Sequence, residues 1–402
     1  MIELRLGTWE QFKLNTLSNY NEWGSSLSIE HYWERESVSK VHVTGHRAWI
    51  LVDSEKPDEI LASCETYTQK SPYCLKGTKE ILYGLSESVA SVYVEPKHRN
   101  KGYASKLMKS LYDRFKNQEK RIFCDLFSDI NPIVYEKCGW IQNPATTFKI
   151  NLNDDLIVSK FLNSFIDNNN NNNNKNKNGS SSDESKTVES LEINENNSKP
   201  ITEENIEFIL KKGIEHTKET LIQIANHENT INNSSIENVF SKQFTTAEFY
   251  WEISQAKLYS TCIEGFETPS VFGHCILDND IGNLTDSNNV KSFIVWTFDF
   301  REKTLKILKL FADSELDFKY LLKKAYEQAL KSKLQFIYAW WPNSSSDKFK
   351  KEFVNSINQE ITIRENSIPM VTSWINLNGN HKSNNENINN GIWINVEKYC
   401  WV

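Results

Sequence analysis

The sequence offers no cysteine framework. Its seven cysteines, Cys64, Cys74, Cys124, Cys138, Cys262, Cys275 and Cys400, are odd in number, scattered and never spaced C-x-x-C. That excludes a disulfide scaffold and a zinc ribbon, and it points to a reducing, cytoplasmic setting. No run of 18 or more apolar residues occurs, so no bilayer-spanning helix and no membrane partner are expected. The opening Met1-Ile2-Glu3-Leu4-Arg5-Leu6 has no apolar signal core, and Glu3 and Glu10 make it a poor transit peptide. A basic excess is also missing: 46 Lys and Arg face 53 Asp and Glu, net −7. Nucleic-acid binders usually carry a basic domain, so no nucleic acid is expected. The eight histidines carry no spacing that argues for a metal site.

What is present divides in two. The chain has 402 residues, enough for two domains, each able to bury a core. Seven consecutive Asn fill 168–174, and the chain stays polar to about Pro200. Such composition cannot offset its ordering entropy, so residues 167–200 read as a disordered Asn-rich linker. The expected domains are residues 1–160 and 200–402, with a polar loop at Asn378–Asn390 in the second. Residues 1–160 hold 21 basic and 21 acidic side chains, leaving the whole net −7 to the remainder. A cationic substrate is better attracted by that second part.

Strand and helix signals alternate in both parts, the pattern of a layered α/β fold. Ile2–Leu6, Ala48–Val52, Ile60–Tyr67, Ser88–Val94 and Arg121–Phe127 read as strands, with a turn at Lys56-Pro57-Asp58. Thr8–Glu36 reads as one or two helices. Tyr103, Leu107, Leu111 and Phe115 recur every four residues, an amphipathic helix. Asn131-Pro132 opens a short helix through Tyr135 that stops at Gly139. In the second part Val271–Leu277, Lys291–Phe298, Leu305–Phe311, a helix at Leu316–Lys333 and Gln335–Trp340 repeat the order strand, strand, strand, helix, strand. The repeat suggests a structural duplication.

The segment richest in chemistry is Val92-Tyr93-Val94-Glu95-Pro96-Lys97-His98-Arg99-Asn100-Lys101-Gly102-Tyr103-Ala104. A strand ends at Pro, a basic loop follows, and a helix opens at Gly. Unpaired N–H groups and the dipole at a helix N-terminus attract anions. Gly102 permits close backbone approach, Ala104 keeps the first turn slim, and Lys97, Arg99 and Lys101 add positive charge. The expected ligand is a pyrophosphate or other multi-phosphate. The competing reading is a solvated basic turn.

Arg99-Asn100-Lys101-Gly102-Tyr103-Ala104 resembles the R/Q-x-x-G-x-G/A signature of Gcn5-related N-acetyltransferases (GNAT). Downstream, Asn131-Pro132-Ile133-Val134-Tyr135-Glu136-Lys137-Cys138-Gly139-Trp140 resembles that family's N-x-x-x-x-Y-x-K-x-G-F/W segment. The resemblance implies a GNAT-type mixed sheet flanked by helices and acetyl-CoA as co-substrate, with no metal. It implies that backbone amides of Arg99–Ala104 cradle the pyrophosphate, that Val92 and Val94 pair with the pantetheine arm, and that Asn131 contacts the cofactor. Tyr135 is then the acid that protonates the leaving thiolate, a phenol with a free pKa near that of an alkyl thiol. A looser resemblance spans nearly the whole chain: the fused second domain, Glu365-Asn366-Ser367-Ile368-Pro369-Met370 and the ending Glu397-Lys398-Tyr399-Cys400-Trp401-Val402 are similar to fungal lysine N6-acetyltransferases. That implies acetylation of free L-lysine at its side-chain amine, in lysine degradation.

Other roles compete for these residues. Asn131 before Pro is a natural helix N-cap, compatible with cofactor contact. Tyr135 suits packing as well as proton transfer. The base that must deprotonate an amine has three candidates, Glu65, Glu87 and the C-terminal carboxylate of Val402, each also readable as a surface charge. Cys124 and Cys138 lack a placed His partner and read as packing residues. Trp340, Trp341 and Trp374 are pocket candidates, with core packing the default. The helix after Asp313-Ser314-Glu315 has an acidic entry that repels phosphate, so the second domain reads as a degenerate GNAT-like α/β unit lining the substrate cleft. The alternatives are a polyamine or protein amine as acceptor, or a non-catalytic acetyl-CoA-binding scaffold.

Overall fold

A computed structural model describes residues 1–24, 26–38, 45–118, 120–156, 159, 197–278, 284, 286–341, 361–375 and 390–400. Most of the Asn-rich 167–200 segment, most of the 378–390 tract and Val402 lie outside the described residues.

The N-terminal elements are β1 (Ile2–Leu6), α1 (Trp9–Ser18), α2 (Tyr20–Trp23), α3 (Ile29–Val38), β2 (Arg47–Asp53), β3 (Lys56–Leu75) and β4 (Ile81–Tyr93). They continue with α4 (Tyr103–Lys116), β5 (Arg121–Ser128), α5 (Ile133–Glu136), β6 (Ile141–Gln142) and β7 (Thr146–Asn151). After the Asn-rich stretch come β8 (Ser198–Ile201), α6 (Ile206–Ala225), α7 (Glu228–Asn232), β9 (Asn238–Phe240) and α8 (Thr246–Cys262). Then follow β10 (Gly273–Leu277), β11 (Val290–Asp299), β12 (Thr304–Phe311), α9 (Glu315–Lys331), β13 (Phe336–Trp341), β14 (Thr362–Ile363), β15 (Ile368–Ser373) and β16 (Gly391–Trp393).

Local chemistry explains several of these elements. A capping box starts α1: Thr8 N–H donates to Gln11 Oε1 and Gln11 N–H to Thr8 Oγ1. Helix α4 buries Leu107, Met108, Leu111, Tyr112 and Phe115, the apolar stripe read from sequence. The expected turn at Lys56-Pro57-Asp58 falls instead at Ser54-Glu55, and Lys56 already opens β3. Pro57 is tolerated because β2 and β3 slip register between Val52–Ile60 and Asp53–Lys56, so no ladder donor is missed there.

Two mixed sheets result. In the first, β2, β3 and β4 run antiparallel, β4 and β5 parallel, and β5 antiparallel to β15. In the second, β10, β11 and β12 run antiparallel, β12 and β13 parallel, and β13 antiparallel to β7. The strand, strand, strand, helix, strand order is thus duplicated in space. Strands cross the Asn-rich stretch in both directions: β9, β15 and β16 join the first sheet, and β7 joins the second. Helix α4 covers one face of the first sheet through Leu107, Met108 and Leu111 against Val89, Cys124 and Leu126. Its other face, through Phe123, joins the large core that holds Phe293, Trp296 and Leu321 of the second part.

Candidate active site

The site begins where β4 leaves β5. Parallel pairing runs from Leu85–Arg121 to Val89–Leu126 and then stops. On its other side β4 carries a bulge, with Glu65 opposite Ala90 and Ser63 opposite Tyr93. Ser91 sits there at φ 53°, a left-handed conformation that few L-residues adopt. The bulge turns Val92 and Val94 away from β5 and opens a wedge between parallel strands.

The loop after the wedge leads into α4 as expected. Arg99 Nε donates to the Val94 carbonyl at 3.0 Å, and its guanidinium pairs with Glu22 at 2.7 Å. Lys97 pairs with Glu95, and Lys101 Nζ donates to the Lys97 carbonyl. Asn100 and Gly102 take φ of 64° and 76°. Gly102 is the N-cap of α4, and no side chain caps that helix. A Cβ at Gly102 would meet nothing within 4 Å, so its role is conformational, not steric. The corresponding helix of the second part is built oppositely. Ser314 Oγ accepts from Asp317 N–H, and the Asp317 carboxylate holds Ser292 Oγ at 2.7 Å and Lys291 at 3.1 Å. Its N-terminus is filled by its own side chains, whereas that of α4 is open.

A cavity of about 990 Å³ runs from the wedge to the second sheet. Val92, Val94, Arg99, Ala104 and Tyr135 line it together. Asn100, Lys101, Gly102 and Tyr103 complete the turn without forming part of the wall. Asn131 is also outside the wall; its Oδ1 accepts from Ile133 N–H at 3.1 Å at the entry to α5, whose N-cap position is Pro132. Tyr135 on α5 is buried, and burial pushes its phenol up to about 12.

Two base candidates turn out to be buried and hydrogen-bonded rather than surface charges. Glu87 accepts from Arg121 and from Thr68 Oγ1, with Arg47 at 3.3 Å. Glu65 accepts from Tyr67 Oη at 2.9 Å and contacts His46 Nε2 at 2.8 Å. Neither lines the cavity, although Tyr67 does. Cys124 and Cys138 are buried, and burial raises both thiols, as packing residues require. Trp340 lines the cavity, whereas Trp341 packs on Phe148 and Phe318, and Trp374 on Tyr112.

Among the carboxylates that line the cavity, the one on the first sheet beside the wedge is Asp125, from the middle of β5. Ser88 Oγ donates to its Oδ1 at 3.0 Å, and Lys242 Nζ stands 3.9 Å from Oδ2, which has no hydrogen-bond partner. Lys242 Nζ also donates to Ser88 Oγ and to the Cys400 carbonyl. Burial pushes the Asp125 carboxyl up to about 6, against the lowering pull of Lys242 and Ser88. One signal for it existed in sequence: an acid inside the apolar run Ile122-Phe123-Cys124-Asp125-Leu126-Phe127. Its lysine partner lies 117 positions away and could not be placed from spacing. Helix α8 contributes Glu252, the β11–β12 hairpin Asp299, Arg301 and Lys306, and β13 Tyr338 and Trp340 to the far wall. Among the described residues, no cluster of three or more His, Cys, Asp or Glu is placed to hold a metal ion. No helix among them is long and apolar enough to cross a membrane.

Comparison with known proteins gives a consistent result. The sequence matches the family model described as the LYC1 GNAT-like C-terminal domain over residues 178–402. It matches the acetyltransferase (GNAT) domain model over residues 45–142. A GCN5-related N-acetyltransferase from Kribbella flavida superposes with a TM-score of 0.51 at 13% identity, over 93% of this chain and 72% of that one. Another from Anabaena variabilis gives 0.51 at 10% identity, over 92% and 72%. At such identities the likeness is one of fold. None of the curated proteins matches the chain.

Proposed function

The chain belongs to the LYC1 GNAT-like family, and from that premise we propose that it moves the acetyl group of acetyl-CoA to a primary amine, the side-chain amine of free L-lysine. One observation carries the reading: an uncapped helix N-terminus behind Gly102 lies beside an opened β4–β5 wedge, and both meet a cavity shared with the second sheet. The residues present fit the cofactor. First-turn amides of α4 and the Arg99 and Lys101 charges suit a pyrophosphate. Main-chain groups of Val92 and Val94 suit an extended amide arm, as an added strand would. When bound, acetyl-CoA supplies an activated acetyl group.

This chain's own residues handle the protons and the developing charge. The acceptor arrives as an ammonium with a free pKa near 10.4 and must lose a proton. Asp125, buried in the cavity wall with an unpartnered oxygen, takes it. A main-chain N–H near Val94 stabilises the oxyanion. Tyr135 gives its proton to the sulfur as the C–S bond breaks, and its burial keeps the phenol protonated until then. The lysine assignment gains support from where the lysine-acetyltransferase-like segments lie. Asn366 and Ser367 of one, and Lys398 of the other, line the same cavity.

A thiol-release assay on the full chain tests this. Acetyl-CoA is offered with L-lysine and, in parallel, spermidine, other amino acids and a lysine-containing peptide. Release with lysine, and a product acetylated at the side-chain amine, is expected. Release with spermidine or peptide alone discards the lysine assignment and keeps the transferase. Tight acetyl-CoA binding without release in any well favours the scaffold reading.

A further inference from the structure

Among the described residues, one buried charge stands uncompensated. Arg364, between β14 and β15, is 4% exposed. All three of its guanidinium nitrogens are buried without a hydrogen-bond partner. A buried unpaired cation is costly, and native structures normally supply it with an anion. Arg364 lies directly behind the cavity wall, without being part of the lining itself. Its guanidinium stacks 3.5 Å from the Trp340 ring centroid and 5.7 Å from that of Phe127, both of which line the cavity. Its near neighbours in the chain, Asn366 and Ser367, line it too.

Other cations gather at this end. Lys398 Nζ lies 5.2 Å from the same Trp340 ring, and Lys306 and Arg301 follow on the second sheet's side. Each of these has an acid: Glu252 is 3.4 Å from Lys398, and Asp299 is 2.6 Å from Lys306 and 3.0 Å from Arg301. Arg364 has none. Repulsion from Lys306 and Arg364 adds to burial in lowering the Lys398 ammonium to about 8, a sign that this end holds surplus positive charge. Asp125 forms another part of the wall, beside the wedge.

We infer that the Trp340 end of the cavity is a carboxylate subsite, with Arg364 and Lys398 as its counter-charges, that selects acceptors bearing a carboxylate as well as an amine. This rests on the acetyl-transfer reading and narrows its substrate class to free amino acids over diamines and polyamines. In a site shielded from water the attraction acts even where the carboxylate does not touch the guanidinium. A carboxylate held there and an amine beside Asp125 would orient one end-charged molecule along the cavity.

The test compares L-lysine, L-lysinamide and 1,5-diaminopentane on the full chain, before any mutation. The last two keep the reacting amine and lose the carboxylate. Wild-type kcat/KM is expected to favour lysine over both by about 10–100-fold, the scale of a charge-assisted contact. Arg364→Met should shrink that preference to within a few-fold by raising KM for lysine, with turnover of lysinamide and affinity for acetyl-CoA unchanged. Arg364→Lys should restore part of the preference. Equal use of lysine and lysinamide by the wild type overturns the subsite and leaves the transferase standing. A full preference retained in a folded Arg364→Met protein also overturns it. Silence with all three amines instead removes the underlying lysine reading.

Discussion

At the scale of single residues, the proposed proton path divides between Tyr135 and Asp125. Tyr135→Phe keeps the ring and its packing and removes only the acid. Turnover is expected to fall by roughly 10²-fold, the lower range for general acid–base groups, while acetyl-CoA affinity measured by calorimetry stays put. Unchanged turnover removes Tyr135 from the mechanism. Asp125 gives a pH signature. Burial disfavours its charged form, so the carboxyl titrates near 6 instead of at its ordinary value. Lys242, Ser88 and Glu87 face it from the packed elements, and Cys400 lies beyond Lys242. As pH falls through about 6 the carboxylate is protonated and can no longer accept, so kcat/KM should drop on that limb. Asp125→Asn should lower the plateau and abolish the limb. A limb that survives in the Asn variant assigns it to another group. Both residues lay in segments that the sequence marked as strand or short helix. Only Tyr135 was legible as chemical, because its role rests on a local motif, whereas that of Asp125 needs Lys242 from another part of the chain.

At the scale of elements, two helices in equivalent places have opposite N-termini. The α4 entry was legible because Gly102 and its basic loop are contiguous. The α9 entry was legible as acidic, and the structure adds that Ser314 and Asp317 fill it. Gly102→Glu tests the first. It puts a negative charge at the open terminus and a side chain at a φ of 76°. Acetyl-CoA binding should vanish by calorimetry, while the melting temperature moves by only a few degrees because no neighbour is displaced. Normal binding by that variant overturns the loop assignment. Other helices escaped the sequence for physical reasons. Helix α8 buries Glu248 and Glu252 together with Phe249, Trp251 and Ile253, so it has no clean apolar stripe. Helix α6 turns Gly213, Thr217 and Thr220 inward, and a Cβ added at Gly213 would meet Phe293 Cζ at a tight 3.3 Å.

At the scale of the whole molecule, the two halves are completed by each other. Strand β15 fills the place beside β5, and β7 the place beside β13. A chain cut in the Asn-rich stretch leaves β5 and β13 as bare edges, a known route to aggregation. Residues 1–160 expressed alone should therefore be insoluble or fail to bind acetyl-CoA. Coexpression with residues 200–402 should restore binding, and the intact chain should melt in a single transition. A soluble, acetyl-CoA-binding N-terminal half would show that the exchange of strands is dispensable.

The sequence by itself determined what is local: the alternation of strands and helices, the duplicated order, the open glycine entry to α4 and the acidic entry to α9. Each follows from periodicity or from neighbours within a few residues, where spacing fixes geometry. Tertiary structure alone decided what depends on residues far apart in the chain. It buried Glu65 against Tyr67 and His46 and Glu87 against Arg121, put Asp125 beside Lys242, left Arg364 without a hydrogen-bond partner against Trp340, and exchanged β7 and β15 between sheets. Burial and long-range pairing set the charge state and the neighbours of a side chain, and neither is written in its local sequence.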